Sequence, residues 1–112
     1  MPLKVYQSLW ATELRRPGIP ERPVNERFDA VRAAGFDGLA IDLGAMDIAA
    51  ARATVPEFVR TGLSGLVSAF PRSIEDLRPA LHLAKDIGSP FVIVIGQVMP
   101  LSVAEMAPVI EA

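Results

Sequence analysis

The chain has 112 residues, 51% of them hydrophobic and 21% charged, and carries a formal net charge of −2. This is apolar material for a core and too much for a disordered segment, while the charge lacks the basic footprint that nucleic-acid binding needs. No cysteine is present, which excludes disulfides, thiolate metal sites and cysteine nucleophiles.

In chain order, Leu3–Trp10 reads as an irregular first strand, with no apolar signal core before it. Val24, Phe28 and Val31 follow the spacing of a helix that stops at Gly35. Leu39–Leu43 is a short apolar run suited to a strand buried on both faces. Asp47 can cap a helix carrying Ile48, Ala51 and Val55; Pro56 must kink or split it, and Thr54 with Glu57 offers a second capping box. Leu66–Phe70 is the third strand-like run. Ile74, Leu77, Leu81 and Ala84 form the next helical stripe, capped by Ser73 or Asp76. Phe91–Ile95 is the fourth strand, and Ser102 with Glu105 opens a last helix that contains Pro108. No apolar stretch approaches the ~20 residues of a membrane helix, so a cytoplasmic protein with no membrane partner is expected.

The glycines leading three of these units, Gly35, Gly62 and Gly88, lie 27 and 26 residues apart. A period of this size marks a repeated supersecondary unit, and each glycine stands where a helix ends in a positive-φ residue. The order βαβαβαβα implies α/β class with a parallel sheet. Four units are half of an eight-unit barrel, so residues 1–112 are expected to form a single partial domain, the N-terminal half of a TIM-type (βα)8 barrel. The alternative is an open, four-stranded, doubly wound parallel sheet.

Gly35-Phe36-Asp37-Gly38-Leu39-Ala40-Ile41-Asp42 and Ala84-Lys85-Asp86-Ile87-Gly88-Ser89-Pro90-Phe91-Val92-Ile93-Val94 resemble the sugar phosphate isomerase/epimerase family, the xylose-isomerase-like barrels. Lys4–Trp10 is also similar to the first strand of that family. The resemblance implies isomerisation or epimerisation of a sugar or small hydroxy-carbonyl compound, assisted by a divalent metal, Mn or Mg. Two departures stand out. The glutamate typical of the second strand falls at Ala40, and the usual metal ligands belong to strands five to eight, outside these residues. The metal is therefore expected in a complete protein and not on this chain.

Asp42 is the most informative polar residue, because barrel enzymes place their sites at strand C-termini. It shares strand parity with Ala40, which points it toward the barrel axis in the family register. There it could bind substrate hydroxyls; otherwise it would brace the turn before Gly44. Gln7 and Gln97, near the ends of strands one and four, carry amides that both donate to and accept from sugar hydroxyls. Trp10 could stack on a sugar face, or fill core. Ser68 shares the inward parity. His82 is the only histidine and lies on the third helical stripe. A metal site needs three or more ligands, so it reads as a helix-surface residue.

No catalytic residue and no metal ligand is assigned. The binding wall is Gln7, Trp10, Asp42 and Gln97, facing a carbohydrate or hydroxy-carbonyl substrate, with no nucleic-acid partner. Nucleotide-binding and hydrolase motifs are absent from the sequence. The expected function is a fragment of a sugar or keto-acid isomerase or epimerase, inactive alone. A non-catalytic half-barrel module is the alternative, and a lyase or a relative of the barrel-type abasic-site endonucleases is a third reading. Edge strands at Leu3–Leu9 and Phe91–Ile95 are expected to drive self-association.

Overall fold

The computed structural model describes residues 3–96, 107–108 and 110–111. Its strands are β1 (Tyr6–Ser8), β2 (Gly38–Asp42), β3 (Ser64–Ala69) and β4 (Val92–Val94). Its helices are α1 (Val24–Ala33), α2 (Ile48–Arg52), α3 (Val55–Thr61) and α4 (Ile74–Asp86), with a 3-10 turn at Trp10–Thr12. The four strands form one sheet in the order β1-β2-β3-β4, and each pairing is parallel. The class is α/β, as the alternation requires.

The unit boundaries follow from local chemistry. Gly35, Gly62 and Gly88 all take positive φ, at 90°, 72° and 68°, so each repeat starts on a left-handed residue. Asp47 caps α2 by accepting the Ala50 N–H at 2.7 Å. Ser73 caps α4 by accepting the Asp76 N–H at 3.2 Å. Pro56 splits the second helical segment into α2 and α3, standing in the first turn of α3 where its missing N–H has no partner to lose. The Thr54–Glu57 capping box does not form. The Thr54 hydroxyl is buried and donates backward to the Ala51 carbonyl at 2.6 Å. The helix expected from Ser102 lies outside the described residues apart from Ala107, Pro108, Ile110 and Glu111, which are helical.

Helix faces differ in detail from the apolar spacing. In α1, Phe28 and Val31 are buried while Val24 is exposed, and Arg27 takes the remaining core-facing place. In α4 the buried stripe is Leu77, Ala80, Leu83 and Ala84, and Leu81 turns outward.

Strand parity decides where the core sits. Leu39, Ile41, Val67 and Ala69 are buried and join Phe28, Val31, Phe58, Leu77 and Leu83 in one cluster. The opposite parity, Ala40 and Asp42 on β2 and Leu66 and Ser68 on β3, stays half-exposed. Helices α1–α4 each contribute to that one cluster, so these four cover one face of the sheet. This is what a strand order without reversal dictates: successive right-handed crossovers step the same way and leave their helices on the same side.

Asp37 laces the N-terminal end of the sheet. Its carboxylate accepts the Val5 N–H at 2.7 Å, its own N–H donates to the Val5 carbonyl at 2.8 Å, and its carbonyl accepts from Ser64 at 3.1 Å. Gly38 then clears space: a Cβ there would stand 2.6 Å from the Tyr6 ring and would collide with the Ser64 carbonyl. Among the described residues no helix is long and apolar enough to cross a membrane.

Candidate functional site at the C-terminal end of the sheet

Among the described residues, Asp42 ends β2 on the face that α1–α4 leave open, in register with Ser68 of β3, which in turn aligns with Ile93 of β4. Its Oδ1 accepts the Gly44 N–H at 2.8 Å, and its carbonyl accepts from Ala45 at 3.0 Å and Met46 at 3.3 Å. The carboxylate thus braces its own turn with one oxygen. Gly44 is needed at this point, since a Cβ would lie 2.9 Å from the Phe70 ring and 3.1 Å from Asp42 Oδ1. The aromatic ring and the carboxylate therefore share one small space.

Trp10 reaches the same place from the end of β1. A depression of about 420 Å³ is lined by Trp10, Asp42, Gly44, Ala45 and Phe70. Two apolar rings and one carboxylate at its rim suit a hydroxylated molecule that has an apolar face. A slightly larger hollow, about 470 Å³, opens between the β2–α2 and β3–α4 connections. Of its carboxylates, Asp47 and Asp76 accept the N–H groups of Ala50 and Arg72 and Glu75 pairs with Arg78 at 3.4 Å, so each is already engaged.

The loop between β1 and α1 holds Trp10 in place. The Arg15 guanidinium lies 3.6 Å from the Trp10 ring centroid, and its Nη2 donates to the Trp10 carbonyl at 2.8 Å. Arg15 has φ 49°, the left-handed region that a non-glycine residue enters only under constraint. The constraint is Glu21, whose two carboxylate oxygens accept the Leu14 and Arg15 N–H groups, both at 2.7 Å. Those two bonds hold the Glu21 carboxyl below its ordinary pKa of 4.5, with the charges of Arg27 and Arg15 adding in the same direction. Beneath the loop, buried Arg27 donates from Nε to Thr12 Oγ1 at 2.7 Å and from Nη2 to the Leu9 carbonyl at 2.8 Å.

Of the four residues expected to form the binding wall, Asp42 and Trp10 come together. Gln7 does not join them. The register sets it beside Leu39, which is buried against the helices, and its amide donates to the neighbouring Ser8 carbonyl at 3.4 Å. Gln97 lies outside the described residues. Ser68 stands beside Asp42 on the helix-free face, and His82 is exposed on α4. Phe70, Arg15, Glu21 and Arg27 were not singled out from the sequence. Phe70 carried a usable signal, since it continues the inward parity of Ser68 by two residues.

The cation site that the resemblance implies is a cluster of carboxylates and a histidine at strand ends. Among the described residues no three His, Cys, Asp or Glu side chains gather, and Asp42 has one oxygen already engaged. The residues present do not make a cation site by themselves. Comparison of the chain with protein-family models, with curated proteins and with solved structures gave no match.

Proposed function

We propose that this chain is one wall of a (βα)8-type barrel that acts on a sugar or small hydroxy-carbonyl compound as an isomerase or epimerase. The observation that carries the reading is the convergence of Asp42, Trp10 and Phe70 at the C-terminal end of a parallel sheet, on the face that α1–α4 leave open. That is where barrel enzymes keep their chemistry. A sheet wound in one direction and covered on one side also fits a barrel wall better than a doubly wound sheet, which needs a reversal in strand order.

The role of this wall is binding and orientation. Asp42 Oδ2 accepts a substrate hydroxyl, while Trp10 and Phe70 take an apolar sugar face and exclude water. Moving a proton between adjacent carbons calls for a general base and a general acid. Only Asp42 is a carboxylate among the residues lining this depression, so the partner group, and the divalent cation that the family resemblance implies, belong to the opposite wall. That same scarcity favours a second reading, a half-barrel module that binds or assembles without catalysis.

Trp10 is the single tryptophan, so its emission reports on the site directly. Titration of the full chain with millimolar D-fructose should give a saturable change in emission. Asp42→Asn keeps an oxygen for the Gly44 N–H but removes the charge, and should weaken binding by about tenfold, or roughly 1.4 kcal/mol. In a complete barrel the same substitution should lower kcat/KM by at least as much. A saturable response untouched by Asp42→Asn, or no response at all, overturns the reading. Binding without turnover in the complete barrel favours the non-catalytic module.

A further inference from the structure

We propose that the helix-free face and both sheet edges form the interface of a twofold dimer, in which β4 of each copy pairs in parallel with β1 of the other. The inference rests on the barrel-wall reading and favours its non-catalytic form, because the occupant it names, a second copy of this chain, brings a second Asp42 but no cluster of cation ligands among the described residues.

The two edges are matched. β1 and β4 are each three residues long, Tyr6-Gln7-Ser8 and Val92-Ile93-Val94, and neither carries a charge or a proline. Charges and prolines are the usual devices that keep an edge from pairing. The outward bonding positions on β4 are open among the described residues. The Ile95 N–H donates to the Ala69 carbonyl at 2.8 Å, so by strand alternation the Val94 N–H points away from β3.

A twofold axis along the strands sets β4 against the partner's β1 and satisfies both edges at once, with the same surface used on each copy. The product has eight parallel strands, the number at which a barrel closes around side chains alone. No other pairing of two copies keeps every strand parallel and leaves no edge.

The surface is apolar where the copies would meet. Ile93 aligns with Ser68 on the face that α1–α4 leave open, and Phe91 and Ile95 share it by strand alternation. Phe91, Ile93 and Ile95 are 60%, 41% and 44% exposed. Together they leave on the order of 300 Å² of apolar surface, to which the half-buried Tyr6, Ala40 and Leu66 of the same face and the two edge backbones add. A stable interface uses about 800 Å² per partner. Closure would also bring both Trp10–Asp42 rims to the same mouth, because all strands run the same way.

The test is sedimentation equilibrium of the full chain at micromolar concentration. The expected mass is twice the 12.0 kDa of the chain, falling toward 12.0 kDa on dilution. Val94→Pro removes the outward N–H together with a side chain that packs on the core, and should give a folded monomer with an unchanged far-ultraviolet spectrum and a lower melting temperature. Ile93→Lys sets a charge on the closed interior and should do the same, so that one variant decides if the other does not fold. A wild-type monomer, association that grows without a dimer plateau, or a dimer that both variants leave intact overturns the proposal. Sugar-dependent Trp10 emission in a wild-type monomer would overturn the dimer while leaving the binding reading in place; a dimer without such emission does the reverse.

Discussion

Arg27 is the side chain on which the β1–α1 loop hangs. It is buried to 6% exposure and satisfies both Thr12 Oγ1 and the Leu9 carbonyl. Arg27→Ala removes these bonds, leaves the Leu9 carbonyl to Thr12 alone, whose hydroxyl and N–H also donate to it at 2.6 and 3.1 Å, and loses the packing of the aliphatic stem. The expected cost is about 2–3 kcal/mol in chemical denaturation, accompanied by a shift in Trp10 emission as the loop above loosens. Glu21 makes the same loop sensitive to acid. Its carboxyl is lowered by the Leu14 and Arg15 N–H groups, then by Arg27 and Arg15. A depressed folded pKa means the clamp is fully present above the ordinary 4.5 and is lost as pH falls through the lower folded value. The Leu14 and Arg15 amide resonances should therefore titrate together below pH 4.5 while those of β2 and β3 hold still; Glu21→Gln should abolish that titration. Asp42 and Trp10 were readable in the sequence because strand C-termini are where such sites are built. Gln7 was not, because a three-residue strand offers no alternation from which to fix which face it takes. Arg27 was hidden because an arginine within an amphipathic stripe reads as solvent-facing until its partners are placed.

At the level of elements, the Gly-Phe-Asp-Gly segment does two separate jobs. Gly35 supplies the positive φ that ends α1, and Asp37 ties β1, β2 and β3 together at their N-terminal ends. Gly38 keeps the Tyr6 ring and the Ser64 carbonyl at close approach. Gly38→Ala must push strand backbone as well as a ring. It should lower stability by roughly 1–3 kcal/mol, seen as an earlier urea midpoint with an unchanged slope. The repeat glycines and the Asp47 and Ser73 caps were legible in the sequence because each is dictated within a few residues of its own position. The stripe of α4 was not. Leu81 and Leu83 compete in sequence, and the small Ala80 fits the close approach to the sheet that favours Leu83. Thr54 misled for a related reason: a hydroxyl that could cap forward onto α3 is buried and bonds backward to α2. Between helices, Arg60 binds Asp29 at 2.8 Å and Arg52 pairs with Asp86, while Glu57, within α3, holds Arg60 at 2.6 Å. These pairs are exposed and add little to stability, so they orient the helices more than they hold them.

For the whole molecule, the central feature is a sheet wound in one direction, covered by α1–α4 on one face, with uncharged edge strands among the described residues and the Asp42–Trp10 rim at its C-terminal end. The parallel order was legible because helix and strand patterns alternate at a fixed period. Which face of the sheet α1–α4 would cover was not, since local pattern carries no information on which side of a sheet a helix lies. The most direct measurement is amide hydrogen exchange at Val94, whose N–H points away from β3. If the edges are closed by a second copy, that amide should be protected at high micromolar concentration and should lose protection on dilution, while Ile95, bonded to Ala69 within the sheet, stays protected throughout. A Val94 amide that exchanges freely at every concentration, or one whose protection does not depend on concentration, would contradict the account.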